Sequence, residues 1–159
     1  MTNQKSVISD SQFKTILLVE DNPDDVELTL LAFKKYHITN DVVIASDGAE
    51  ALDYLFGKDK YAGRDTSNLP EVILLDLKLP KVGGLEVLQQ LRTDERTKHL
   101  PVVILTSSGE ERDMINGYKS GANSYIQKPV EFTQFSEAVG RLGIYWLCLN
   151  KSPKKRGQV

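Results

Sequence analysis

Cysteine is nearly missing from this chain: Cys148 stands alone among 159 residues, so no internal disulfide can form. Histidine is almost as scarce, with only His37 and His99, and both fall in predicted helix or helix-to-strand connections. No apolar run nears the roughly 20 residues that span a bilayer. The opening Met1 to Gln12 is polar and lacks the apolar segment of a signal peptide. A large excess of one charge is missing too: 22 acidic against 20 basic side chains leave a formal charge of −2. The molecule as a whole has no electrostatic pull toward nucleic acid or an anionic membrane. A cytoplasmic protein with neither as a partner is expected.

What is present fits one ordinary domain. At 17.8 kDa, with 40% apolar and 26% charged residues, the chain can bury a real core. The two ends differ from the middle. Residues 1–12 read as a flexible segment, and 151–159 as a basic, flexible tail in which Lys151, Lys154, Lys155 and Arg156 stand beside Pro153 and Gly157. Between them, 13–150 holds 15 basic and 21 acidic groups, a balance of −6 that the tail partly masks.

Five short apolar runs have strand length: Thr15 to Val19, Asp41 to Ala45, Glu71 to Leu75, Pro101 to Leu105 and Ser124 to Gln127. Helical spacing lies between them, as in Val26, Leu30, Leu31 and Phe33, then Ala49, Leu52, Leu55 and Phe56, then Leu85, Val87, Leu88 and Leu91. Runs such as Ile-Leu-Leu-Val are apolar at consecutive positions, which suits strands covered by helices on both faces. The fold class expected is α/β, a doubly wound five-stranded parallel sheet of flavodoxin-like (βα)5 order.

Helix starts are signalled at three joints. Asn22-Pro23-Asp24-Asp25 offers a cap, a first-turn proline and acids near the positive dipole end, and Ser46-Asp47-Gly48 and Ser108-Gly109-Glu110-Glu111 read similarly. Lys58 to Leu69 is polar, carries Gly63 and ends at Pro70, so it reads as a long mobile surface loop with no core role. In the last helix Phe132, Phe135, Val139, Leu142, Trp146 and Leu149 form the core-facing stripe by 3 and 4 spacing. Ile144 to Leu149 is nevertheless apolar at every position, so that end needs a second surface. The choices are the amino-terminal segment or the interface of a homodimer or partner.

Ligands of an open parallel sheet sit beyond the carboxyl ends of its strands. There the sequence sets Glu20 and Asp21 after the first strand, Asp76 after the third, Thr106 and Ser107 after the fourth, and Lys128-Pro129 after the fifth. Three clustered carboxylates repel unless a cation joins them. An all-oxygen set favours Mg²⁺ over zinc, and Mg²⁺ commonly shares its shell with phosphate. Asp76, fixed at the end of the most apolar strand, is the candidate nucleophile toward a phosphoryl group. Lys128 would neutralise the phosphoryl oxygens and Thr106 would offer them a hydroxyl.

These residues resemble the receiver domain of bacterial two-component response regulators, the CheY-like family, over about residues 14 to 149. The motif is the acidic pair Glu20-Asp21, then Asp76 followed by Leu77-Lys78-Leu79-Pro80 and Gly84, Thr106 thirty residues beyond Asp76, and Lys128 twenty-two beyond Thr106. The resemblance implies that Glu20, Asp21, Asp76 and the backbone carbonyl of Lys78 bind Mg²⁺, and that Asp76 accepts phosphate from a histidine kinase. It also implies a switch in which Thr106 moves toward the phosphoryl group and Tyr125 passes from exposed to buried. Lys128-Pro129 matches the family's usual cis peptide, though the isomer is not legible in sequence. Lys78 and Ser108 occupy positions that tune phosphate hydrolysis in the family.

The long loop and the extended last helix look like the small stand-alone regulators of cyanobacterial and other bacterial phytochromes. A phytochrome-type kinase partner and a homodimer through the last helix and its neighbouring face are implied. The expected function is a switch that catalyses only its own phosphorylation and dephosphorylation and signals by binding another protein. Three alternatives stand beside it. A metal-dependent phosphatase would need a second Asp where Lys78 stands. A flavodoxin-like carrier would find its phosphate repelled by Glu20 to Asp25. The third is an unphosphorylated scaffold.

Overall fold

A computed structural model describes residues 14–152. Five strands, β1 (Ile16–Val19), β2 (Val42–Ala45), β3 (Val72–Leu75), β4 (Val102–Thr106) and β5 (Ser124–Gln127), alternate with five helices. These are α1 (Pro23–Lys35), α2 (Gly48–Phe56), α3 (Gly84–Thr93), α4 (Glu111–Lys119) and α5 (Phe132–Ile144). The sheet is parallel throughout, in the order β2-β1-β3-β4-β5. This is the doubly wound, flavodoxin-like arrangement, and strand order reverses between β1 and β3.

Alternate residues of the strands feed two cores. Leu17, Val19, Ile73, Leu75, Val102 and Ile104 meet Ala51, Leu55, Val87, Leu88 and Leu91 of α2 and α3. Ile16, Leu18, Val72, Leu74, Val103 and Leu105 meet Ala32 and Phe33 of α1 and Phe135, Val139 and Leu142 of α5. Each large aliphatic side chain removed from water in this way contributes roughly 1.5–3 kcal/mol. Helix α4 lies over Ile104 and Tyr125 through Gly117, where a Cβ would come within 2.7 Å of Ile104 and 3.3 Å of Tyr125.

Two of the three expected caps form. The Asn22 side chain accepts from the Asp24 and Asp25 N–H groups, and Asp47 accepts from Glu50 N–H at 2.7 Å. The third differs: α4 begins at Glu111 with no side-chain cap, and the Ser108 hydroxyl donates instead to Asp113 at 2.5 Å. The α1 stripe also differs. Thr29, Ala32 and Phe33 are buried, while Leu30 and Leu31 face solvent, because 100° per residue carries those two past the edge of the core-facing arc.

The Lys58 to Leu69 loop is not the core-free segment expected. It opens with a 3-10 turn, Asp59–Tyr61, and Tyr61 and Leu69 pack against the α2–α3 core. Arg64 lies 4.0 Å over the Tyr54 ring and donates to the Tyr54 and Asn68 carbonyls. Scattered single apolar residues, rather than a periodic pattern, anchor it.

The last helix departs from its stripe at a π-helical turn, Tyr145–Leu149. The wider turn moves the next core position from four to five residues beyond Leu142, so Leu147 is buried while Leu149 is 64% exposed. Trp146 is partly buried against the same core. The amino-terminal segment considered as a cover for this end, and most of the basic tail, lie outside the described residues. The cis Lys128-Pro129 bond implied by resemblance is trans here: among the described residues no peptide bond is cis. The described residues include no helix long and apolar enough to cross a membrane.

Candidate functional site

The site is assembled by hydrogen bonds that extend the strand ladders by one residue. Glu20 N–H donates to the Ala45 carbonyl at 3.0 Å, Asp76 N–H to the Val19 carbonyl at 3.1 Å, and Lys128 N–H to the Thr106 carbonyl at 2.7 Å. Each functional backbone is therefore fixed by the sheet rather than by a free loop. Helix α3 comes close enough to this end that a Cβ on Gly84 would stand 2.2 Å from the Asp76 carbonyl oxygen, so only glycine fits there.

Glu20, Asp21 and Asp76 each present a carboxylate oxygen, and these oxygens all lie within 4.8 Å of one another. Glu20 and Asp76 are buried and Asp21 is exposed. A hard divalent cation suits this donor set: every ligand is oxygen, and one side is open to water and an incoming anion. The Asp76 carboxylate also accepts from the Lys78 N–H at 3.3 Å, and Glu20 accepts from the Asn22 N–H at 3.2 Å.

Lys128 reaches into the acids from β5. Its ammonium donates to Glu20, to Asp25 at 2.8 Å and to Asp76 at 3.2 Å. Burial pushes the Glu20 carboxyl above its ordinary range, against the Lys128 hydrogen bond and charge and with repulsion from Asp76 added. Burial alone would weaken the Lys128 ammonium as an ammonium, but its bonds to Asp25 and Glu20 and the Asp76 charge hold its pKa above the usual lysine range. Lys128 thus offsets part of the burial penalty on Glu20, and the acids more than offset the penalty on Lys128.

Thr106 is fully buried at the end of β4, and its hydroxyl oxygen accepts from the Ser108 N–H at 3.4 Å. Tyr125 is half-buried and donates its hydroxyl to the Ser108 carbonyl at 2.9 Å. The structure therefore brings Glu20, Asp21, Asp76 and Lys128 together, sets Thr106 at the neighbouring strand end, and ties Tyr125 to the β4–α4 loop. One participant was not singled out by sequence reasoning. Asp25 read as a dipole-compensating acid of α1; its signal was its place one helical turn beyond the acidic pair. Ser108, read as a cap and through the resemblance as a position that tunes phosphate hydrolysis, does not cap α4 and joins Thr106, Tyr125 and Asp113.

Comparison with known proteins agrees with this geometry. Residues 16–140 match the model of the response regulator receiver domain. Over 138 residues the chain is 42% identical to the probable methanogenesis regulatory protein FilR2 of Methanothrix harundinacea (strain 6Ac), covering 87% of this chain and 86% of that one. It superposes on the phosphorylated cyanobacterial phytochrome response regulator RcpA with a TM-score of 0.82 and 37% identity, over 89% of this chain and 99% of RcpA. It superposes on the Mn²⁺-bound form of response regulator Rcp1 with a TM-score of 0.81 and 34% identity, again over 89% and 99%. Rcp1 is a protein of Synechocystis sp. (strain ATCC 27184 / PCC 6803 / Kazusa). With the family model spanning most of its length, the chain belongs to the response regulator receiver domain family.

Proposed function

We propose that this protein is a phosphorylation switch in which Asp76 accepts a phosphoryl group from a histidine kinase. The observation that carries this reading is the convergence on Asp76 of Glu20 and Asp21 from β1 and the Lys128 ammonium from β5. In the step itself, an Asp76 oxygen attacks phosphorus in line while the P–N bond to the donor histidine breaks, and the leaving imidazole takes up a proton. Lys128 neutralises phosphoryl oxygens, and Thr106, once its hydroxyl turns from the β4–α4 loop, donates to another. Glu20, Asp21, Asp76 and the Lys78 carbonyl would hold Mg²⁺, which supplies charge neutralisation between carboxylates and phosphate. The chemistry is limited to the protein's own phosphorylation and dephosphorylation.

A phytochrome-type kinase as donor is supported by the likeness to RcpA, itself a phytochrome response regulator. Output by protein–protein contact, with a homodimer through the last helix and its neighbouring face, is supported by apolar side chains exposed there: Met114, Ile115 and Tyr118 on α4, and Tyr145 and Leu149 after α5. A cytoplasmic site of action belongs to the same proposal.

Treatment of the full chain with acetyl phosphate and Mg²⁺, followed by intact-mass analysis, tests the reading. One phosphoryl adduct is expected on the native chain and none on Asp76→Asn. An adduct that persists in the variant, or none in either, overturns it. Phosphotransfer assays against phytochrome-type and other histidine kinases decide the donor.

A further inference from the structure

A lysine ammonium has three N–H donors, and in Lys128 all three have carboxylate partners: Glu20, Asp25 and Asp76. A phosphoryl oxygen arriving on Asp76 can take one of these donors only by displacing a carboxylate. Two of the three acids have other work under the function proposed above, on which this inference rests. Asp76 becomes the acyl phosphate, and Glu20 belongs to the cation-binding set. Asp25 alone has no further duty.

Its hold on the ammonium is firm. The Asp25–Lys128 contact, at 2.8 Å, is shorter than the 3.2 Å contact from Lys128 to Asp76. The Asp25 backbone is anchored on both sides, its N–H donating to the Asn22 side chain at 3.4 Å and its carbonyl accepting from the Thr29 hydroxyl at 2.7 Å. These bonds fix the backbone from which the carboxylate reaches the ammonium. Its side chain is 29% exposed, so part of the attraction is screened by water, and enough remains to set a preference.

We infer that Asp25 is a positioning residue that retains the Lys128 ammonium on the α1 side and competes with the phosphoryl group for it. The acid thereby sets how far the phosphorylated state is favoured. An asparagine at this position keeps an oxygen for the ammonium but gives up the charge; a glutamate keeps the charge.

The test is titration of the full chain with beryllofluoride in the presence of Mg²⁺, read by tryptophan fluorescence and calorimetry. Asp25→Asn should bind beryllofluoride roughly fivefold more tightly than the native chain, the scale of one partly screened charge-assisted bond. Asp25→Glu should bind as the native chain does. A merely structural role for Asp25 would weaken binding in Asp25→Asn along with its urea midpoint. Affinity within twofold of native, or weaker, overturns the inference. If the native chain itself fails to bind beryllofluoride, the phosphorylation reading falls and this inference with it. If the native chain binds and Asp25→Asn is unchanged, only the inference about Asp25 falls.

Discussion

The Tyr125 hydroxyl donates to the Ser108 carbonyl at 2.9 Å, joining β5 to the β4–α4 loop across 17 residues. The same Ser108 gives its N–H to Thr106 and its hydroxyl to Asp113, so one residue links the strand end, the aromatic and the first turn of α4. Under the function proposed above, a phosphoryl group that draws the Thr106 side chain toward Asp76 would pull on this junction, the route by which charge at Asp76 would reach the α4 face. Tyr125→Phe keeps the ring packing over Gly117 and loses one hydrogen bond. It should lower stability by about 0.5–1.5 kcal/mol in urea unfolding. No measurable loss would show that the ring, not the hydroxyl, holds the loop.

Lys128 neutralises buried acids. Lys128→Met leaves Glu20 and Asp76 without their cation at sites where their side chains are 4% and 10% exposed. Removing one partner of such a cluster costs about 3–5 kcal/mol, and the exposed edge of this one favours the lower end. The variant should therefore melt well below the native chain in the absence of divalent metal. Added Mg²⁺ should raise its melting temperature more than it raises that of the native chain, because the ammonium no longer competes for the carboxylates. Equal metal responses in the two proteins would count against shared use of these acids.

Much of the fold was legible because buried parallel strands advertise themselves as unbroken apolar runs, and β1, β3 and β4 are such runs. The acids at their ends were legible for the related reason that a charge directly after a buried run must sit at the sheet's rim. Asp25 was not, since an acid in a first helical turn already has an explanation in the dipole, and only the three-dimensional reach of Lys128 gives it another. The Lys58 to Leu69 loop hid its anchoring because Tyr61 and Leu69 are isolated apolar residues with no period between them. The end of the last helix misled for the opposite reason. Its pattern is apolar throughout, so sequence could not mark the place where the turn widens and the inward position slips by one.

That slip gives a sharp comparison. Leu147→Ala removes a side chain that is 1% exposed and should cost about 2–4 kcal/mol, the cost of truncating a packed leucine. Leu149→Ala, at the position the regular spacing would bury, should change stability by less than about 0.5 kcal/mol. Chemical unfolding of the two variants side by side reads the register directly. A larger loss in Leu149→Ala than in Leu147→Ala would mean that the helix continues without the wide turn.

The acid limb of stability should carry the signature of Glu50. Its side chain pays desolvation, which alone would raise its pKa, but hydrogen bonds from Lys60, the Ser46 N–H, Tyr61 and the Ser46 hydroxyl outweigh that and hold it down to about 2 from an ordinary 4.5. Because the folded-state value lies below the unfolded one, the stabilisation is present above pH 4.5. It drains away as pH falls from there toward 2, where folded and unfolded chains both take up the proton. Solvent screening of the Lys60 pair reduces the contribution to about 1–2 kcal/mol. Glu50→Gln should be less stable than the native chain at pH 7 by about that amount and should converge with it near pH 2 to 3. The Tyr61 hydroxyl donates to this same carboxylate at 2.8 Å. Loosening of the 3-10 turn should therefore follow the same pH course, read as faster amide exchange at Tyr61 and Ala62; a flat exchange profile across that range would separate the loop from Glu50.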